Sequence, residues 1–183
     1  MKKIFLSLVC LGCFISAFAQ KTLPEIKAGT SLQCIAYVQG QEVPLALTLK
    51  TIEGPVNVLW SVEGFGDGSF VMSAKALESA TKMYVTTQPA TGETKLSDDE
   101  TFGMISKAAY KTLTETKMLT YGGMKFKLKA PASAMKIGGK EIDATHIVSE
   151  DGKIELWILN NPNLPLLVQS TGFATDIVIT DIK

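Results

Sequence analysis

Apolar and polar residues alternate along most of this chain with the period of two that is typical of half-buried β-strands. In 31–38, 42–52 and 55–62, apolar side chains occupy nearly every second position, so one face of each strand is apolar. In the run 124–129, Met124, Phe126 and Leu128 alternate with three Lys in the same way. Shorter strands are predicted at 69–72, 82–87, 101–105, 141–148, 153–159, 166–170 and 176–182, with 88–100 as a polar loop.

Two segments change to helical spacing. Ser73 is placed to cap a short helix that runs to Ala80, and Ser106 to cap a second one from Lys107 to about Glu115. Ten or more closely spaced strands with two short helices predict a mainly β protein. Its sheet is expected to be largely antiparallel and curved into a barrel, a half-barrel or a sandwich.

The late strand at 153–159 is apolar on both faces. Ile154, Leu156 and Ile158 lie on one side, and Trp157 and Leu159 on the other. A sheet that is apolar on both sides must be covered on both sides. The cover is expected to be the two helices, a second sheet, a partner or a ligand.

The first residues have the pattern of a secretory signal peptide. A basic start is followed by an apolar run from Ile4 to Ile15 and by small residues that end at Ala19. This predicts a cleaved signal at 1–19, a polar leader at 20–28 and a single β-rich domain at 29–183. The run is too short to span a bilayer, and no transmembrane segment follows it.

The mature protein is therefore expected to be periplasmic or secreted. The less favoured alternative is a lipoprotein anchored through Cys13 or Cys10. Gly12 before Cys13 suits a lipobox, but Cys10 three residues before Cys13 does not.

Composition narrows the possible chemistry. The 183 residues are 46% hydrophobic and 20% charged, an ordinary globular balance, and every basic residue is Lys. Without Arg, and with a slightly negative mature chain, nucleic acid is not an expected partner. After cleavage only Cys34 remains, so we expect no intramolecular disulfide and a buried, unreactive thiol. One His and one Cys cannot form a zinc site, so no metal and no cofactor are predicted.

The remaining polar motifs predict no catalytic residue. The run Gly64–Gly68 has neither the dinucleotide nor the phosphate-loop spacing and is expected to be a turn. His146 alternates with Ala144 and Val148, which favours a core or sheet histidine. Asp98–Glu100 lacks the spacing of a calcium loop. An enzyme is therefore the weakest hypothesis, since it would require His146 with partners or a carboxylate pair that meets only in space.

Methionine and aromatic side chains are plentiful enough to line an apolar cavity, although methionine more often fills a core. The residues expected to contact such a ligand are Trp60, Phe70, Met83, Met104, Phe126 and Trp157.

One late segment carries a family resemblance. In 157–168 a Trp-containing strand is followed by a polar turn, Pro-Leu and an aliphatic strand, and 101–113 runs strand, Ser, short helix. This is similar to uncharacterised bacterial envelope proteins beside the LolA/LolB-like periplasmic lipoprotein-carrier half-barrel superfamily. The resemblance implies a curved sheet or half-barrel with two short helices on its concave side, which admits an acyl chain. The Arg that the carriers set against lipid has no counterpart here.

These observations predict a secreted or periplasmic, non-enzymatic protein that holds a lipid-like or apolar ligand in a half-barrel cavity. The alternative is a cell-envelope protein–protein interaction module, whose extra apolar face would meet a partner that the sequence does not identify.

Overall fold

A computed structural model describes residues 21–131 and 133–183 of the chain. The signal peptide expected at 1–19, with Cys10 and Cys13, lies outside the described residues and stays a prediction. Within the described part, no helix is both long enough and apolar enough to cross a membrane.

The described residues form a mainly β structure with two short helices. The first strands are β1 (Ser31–Val38), β2 (Gln41–Thr51), β3 (Val56–Val62), β4 (Gly66–Met72), β5 (Lys82–Met83), β6 (Gly92–Lys95) and β7 (Glu100–Thr101). The later strands are β8 (Met118–Tyr121), β9 (Met124–Leu128), β10 (Met135–Ile137), β11 (Lys140–Ile142), β12 (Ala144–Ser149), β13 (Glu155–Leu159), β14 (Leu167–Thr171) and β15 (Thr175–Ile182). The helices are α1 (Ala74–Ser79) and α2 (Lys107–Thr116).

Eleven strands of the described chain make one large sheet. Its order is β6-β4-β3-β2-β1-β15-β14-β13-β12-β9-β8, and it is curved without closing into a barrel. Every neighbouring pair is antiparallel except β4 and β6, which pair in parallel at one edge. The strands β10 and β11 form a separate hairpin, and β5 pairs with β7. The mainly β class and the open, curved sheet are therefore confirmed, with one parallel pair at the edge.

The strand register defines an inner face that carries most of the core. Cys34 lies opposite Leu45 on one side and Ile179 on the other, and Leu47 lies opposite Trp60. Since directly opposed residues share a face of a sheet, these side chains all point the same way. This inner face is covered by helix α1, whose Ala76 and Leu77 belong to the same core cluster, which is also lined by Leu32, Val58, Phe70 and Met72.

The second helix covers the other half of the same face. Tyr110 and Leu113 of α2 pack in a cluster with Phe126, Ile147 and Leu156. The register continues through β15 and β14 to place Leu156 on the same face as Ile179 and Trp60. Both helices thus lie on the concave side of the sheet, as the family resemblance implies.

The outer face of the late strands is covered as well. His146 lies opposite Trp157, on the face away from Leu156. Trp157 is 8% exposed and stacks on His146, and Leu159 is fully buried. Both belong to the large cluster that contains the inner-face core and also Met135, Ile137 and Ile142 of the β10–β11 hairpin. The two-sided apolar pattern of 153–159 therefore has a cover within the chain on both sides.

Both helices begin where the sequence predicts. The hydroxyl of Ser73 accepts a hydrogen bond from the backbone N–H of Ala76, and that of Ser106 accepts one from Ala109. These bonds satisfy amide groups that have no partner within the helix.

Several predicted bounds were wrong. The run 141–148 is divided at Asp143 between β11 of the separate hairpin and β12 of the large sheet. The runs 82–87 and 101–105 shorten to the two-residue strands β5 and β7, while the predicted polar loop 88–100 contains β6. Strand β6 is polar throughout because it is an edge strand that buries neither face, and so alternation cannot reveal it.

The run Gly64–Gly68 is only partly a turn, because β4 begins at Gly66. Gly68 lies directly opposite Trp60, and a Cβ on Gly68 would lie 2.8 Å from the indole Nε1. Glycine is therefore required there by the close approach of the ring.

Candidate functional site

A mostly apolar cavity with a volume of about 440 Å³, called the main cavity below, lies at the β1–β4 end of the inner face. Its lining residues come from β1, β2, β3, β4, β15 and the segment 86–102. They are Ala36, Val38, Gln41, Val43, Leu45, Trp60, Val62, Glu63, Gly64, Phe65, Phe70, Thr86, Thr87, Pro89, Phe102, Thr175 and Ile177.

A small residue in the middle strand leaves room for this cavity. Ala36 on β1 lies opposite Val43 of β2 and Ile177 of β15, so the three side chains form one row across the inner face. Further along the same strand, Cys34 and Leu32 occupy equivalent positions and are buried in the core. The cavity therefore begins beyond Cys34, where Ala36 and Val38 of β1 line it.

Aromatic rings form the inner wall. Phe70 stacks on Phe102 with ring centroids 4.1 Å apart, and the ring of Tyr84 packs against Phe70 at 5.5 Å. Trp60 meets Phe65 at 6.1 Å in a tilted arrangement. Phe65 is 47% exposed, whereas Trp60 and Phe70 are almost fully buried. The wall thus passes from a closed aromatic interior to an open rim at Phe65.

The rim carries the polar groups. Gln41, Glu63, Phe65 and Thr87 are exposed there, and Glu63 is the one charged residue in the lining. The arrangement is that of a ligand pocket, which is mostly apolar with a few polar groups to orient what it holds.

Two polar atoms of the cavity wall are buried without a hydrogen-bond partner in the described structure. They are the indole Nε1 of Trp60 and the hydroxyl Oγ1 of Thr175. A buried polar group without a partner costs on the order of 1–3 kcal/mol. Buried polar groups without a partner are uncommon in folded proteins, and each one needs an explanation.

The six residues that were predicted to contact a ligand do not form one site. Trp60 and Phe70 line the main cavity, Met104 lines a space of about 20 Å³, and Met83 lines one of about 50 Å³. Phe126 is fully buried in the cluster that contains Tyr110 and Leu113 of α2, and Trp157 lies on the outer face, stacked on His146. The structure therefore brings together only the first pair.

The sequence analysis missed most of the remaining wall. Ala36, Val43 and Ile177 carry a usable signal, because they continue the alternation that identifies the inner face. Phe102 and the segment from Thr86 to Pro89 carry no such signal, since they lie in irregular backbone whose course depends on the β5–β7 and β4–β6 pairings.

His146 is part of a satisfied polar cluster on the outer face. Its Nδ1 accepts the backbone N–H of Ser133 at 3.3 Å, so Nε2 carries the proton and donates to Glu155 at 2.7 Å. Glu155 also accepts from the ammonium of Lys129. The imidazole is 1% exposed and stacks on Trp157 at 3.9 Å.

This environment leaves His146 no free nitrogen for catalysis. Burial lowers the pKa of His146, against the hydrogen bond to Glu155, which raises it. Lys129 in turn holds the pKa of Glu155 below its ordinary value. With both ring nitrogens bonded and the ring enclosed, the cluster joins β12, β13 and the segment before β10.

The carboxylates of the acidic segment Asp98–Glu100 also have hydrogen-bond partners within the chain. Hydrogen bonds from Ser73 to Asp98 and from Ser97 to Glu100 lower the pKa values of these carboxyl groups. In the part of the chain that the structure describes, no three His, Cys, Asp or Glu side chains are placed to hold a metal ion. Cys34 is a buried free thiol, as predicted.

No protein-family model matches the chain, and no curated protein matches it at a significant level.

Proposed function

We propose that this protein binds an apolar or amphipathic small molecule, such as a lipid-like chain, in the cavity between Ala36 and Phe102. The observation that carries the proposal is a mostly apolar cavity of about 440 Å³ whose rim is open at Phe65. This volume lies within the range of about 300–1,000 Å³ that ligand pockets occupy.

The volume limits the size of the buried part of the ligand. At about 30 Å³ for a water-sized group in a liquid, the space takes on the order of fifteen non-hydrogen atoms. A single alkyl chain or a small ring system is of this size, whereas a whole diacyl lipid is not. A longer ligand would leave its head outside the rim at Phe65 and Thr87.

Two further features support binding at this place. Two of the three buried side-chain polar atoms that lack a partner in the described structure, those of Trp60 and Thr175, belong to residues of the cavity wall, where a ligand or a water molecule would give them one, and the third is Oδ1 of Asn57. The open curved sheet with helices on its concave side also agrees with the resemblance to the LolA/LolB-like half-barrel proteins, which stays a proposal.

The two tryptophans make the proposal testable, because only one of them lines the cavity. In a Trp157→Phe protein, Trp60 is the sole tryptophan, and a brominated alkyl alcohol is expected to quench its fluorescence saturably. In the matched Trp60→Phe protein, Trp157 remains buried on the outer face and outside the cavity lining, and no saturable quenching is expected.

Filling the cavity provides the second arm of the experiment. Ala36→Phe places a ring between Val43 and Ile177 and is expected to weaken quenching of Trp60 at least tenfold, at unchanged far-ultraviolet circular dichroism. Equal quenching in both single-tryptophan proteins, or none at ligand saturation, would contradict the proposal.

The cellular location of the protein is part of the same proposal. The pattern at 1–19 supports export to the periplasm or the medium with cleavage after Ala19. N-terminal sequencing of the natural protein should then begin at Gln20. A protein that still begins at Met1 would contradict cleavage of the signal peptide. An acylated Cys13 would show instead that the protein is a lipoprotein.

A protein–protein module of the cell envelope is the alternative function. The exposed large apolar residues are Leu23, Tyr37, Leu59, Phe65, Val85, Met118 and Leu128. No described strand or helix carries more than one of them, so no single element favours a partner over a small ligand.

A further inference from the structure

We propose that the ligand of this cavity is an amphiphile with a positively charged head group of the alkylammonium class, held at the rim by Glu63 and Phe65. This inference rests on the proposed binding function and names the chemistry of the ligand. The head would lie at the end of the β3–β4 hairpin, and the tail would enter toward Phe70 and Phe102.

The charge of the lining is the first argument. The chain has as many basic as acidic residues, yet the described lining includes Glu63 and no Lys. Glu63 forms no ion pair with any described residue, whereas many other carboxylates of the surface are paired with a lysine. A free carboxylate at the mouth attracts a cation and repels a carboxylate or phosphate head.

The ring beside this carboxylate is the second argument. Phe65 follows Glu63 by two residues, also lines the cavity, and exposes 47% of its surface. An aromatic ring and a carboxylate in one rim can bind an ammonium group together, through cation–π attraction and charge attraction. Phe65 is supported from behind by Trp60, whose ring lies 6.1 Å away.

The rest of the rim is compatible with this head. Gln41 and Thr87 supply neutral polar groups, and these can hydrogen-bond water around an ammonium without competing for its charge. Deeper in the cavity the described side chains are aliphatic or aromatic, so a charged head has no partner there and stays at the rim.

The test compares three probes with the same ten-carbon tail, which are decyltrimethylammonium, decanol and decanoate. Each displaces a neutral naphthylamine dye from the Trp157→Phe protein, with Trp60 as the reporter. We expect the ammonium to bind most tightly and decanoate least tightly, with roughly tenfold between them at low salt. This ratio should shrink toward one near 1 M salt, because the charges are exposed and are screened there.

Charge reversal at the rim gives the deciding variant. Glu63→Lys should invert the order so that decanoate binds most tightly, while decanol changes little. The matched control is Glu53→Lys, which makes the same change in net charge on an exposed turn outside the cavity lining. The control should keep the original order.

The outcomes separate the two proposals. If none of the three probes displaces the dye, the binding function fails. If all three bind with equal affinity, or if decanoate binds best to the unaltered rim, binding stands and the assignment of a cationic head is overturned. An inversion that Glu53→Lys reproduces would also overturn it, because the effect would then belong to net charge.

Discussion

Phe102→Ala is expected to be among the most damaging single truncations near the cavity. Phe102 is 9% exposed, stacks on Phe70 at 4.1 Å and borders the main cavity together with two smaller ones. Its backbone N–H also donates to the sulfur of Met72. Removing the ring therefore joins three spaces into one and leaves Phe70 without its stacking partner.

The expected cost follows from these contacts. Truncation of a buried Phe to Ala costs about 3–5 kcal/mol, and a stacked aromatic pair accounts for about 0.5–1.5 kcal/mol of such an effect. One side of the ring faces the cavity, where it has no contacts to lose, so the lower end of the range applies. We expect the free energy of unfolding to fall by about 3 kcal/mol.

Urea unfolding followed by circular dichroism measures this loss. With a slope of about 2 kcal/mol per molar urea, the midpoint should fall by about 1.5 M. Phe65→Ala is the matched control, because it makes the same substitution at the exposed rim. It is expected to lower the free energy of unfolding by less than about 1 kcal/mol. A shift for Phe102→Ala no larger than that of the control would refute the packing described here.

Three further predictions concern the buried polar groups. Because burial lowers the pKa of His146 below its ordinary value, the unfolded chain binds the proton first, so stability should fall as the pH drops below about 6.5. His146→Gln should lose this part of the pH dependence, and an unchanged slope would contradict it. Ser106→Ala removes both the α2 cap and the bond to the carbonyl of Ala80, so thermal unfolding should show a loss of about 2 kcal/mol, and one below about 0.5 kcal/mol would contradict the role of the cap. Burial raises the pKa of Cys34 to about 12, so a thiol reagent should label it only in denaturant, and full labelling of the native protein would contradict its burial.

The elements with clear periodicity could be predicted from the sequence. The strand at 31–38 has the predicted bounds, and both helices start after the predicted caps at Ser73 and Ser106. These features are local, since a strand with one buried face and a capped helix both leave their pattern in neighbouring residues.

The parts that depend on distant pairing could not be predicted in the same way. Strand β6 is polar and is held at the edge by β4, and the segment around Thr86 follows from the short β5–β7 pair. Trp157 and Trp60 have the same residue type and similar burial, yet the register places them on opposite faces of the sheet. Residue type alone therefore led to the prediction that both tryptophans line one cavity.

A crystal structure of the protein with a brominated alkyl ligand, phased on bromine, shows directly whether the cavity binds an apolar molecule. We expect an anomalous peak inside the cavity, in contact with Phe70 or Phe102 and between Ala36 and the rim. A peak elsewhere, or a saturated crystal with the cavity collapsed and no bromine in it, would contradict the account.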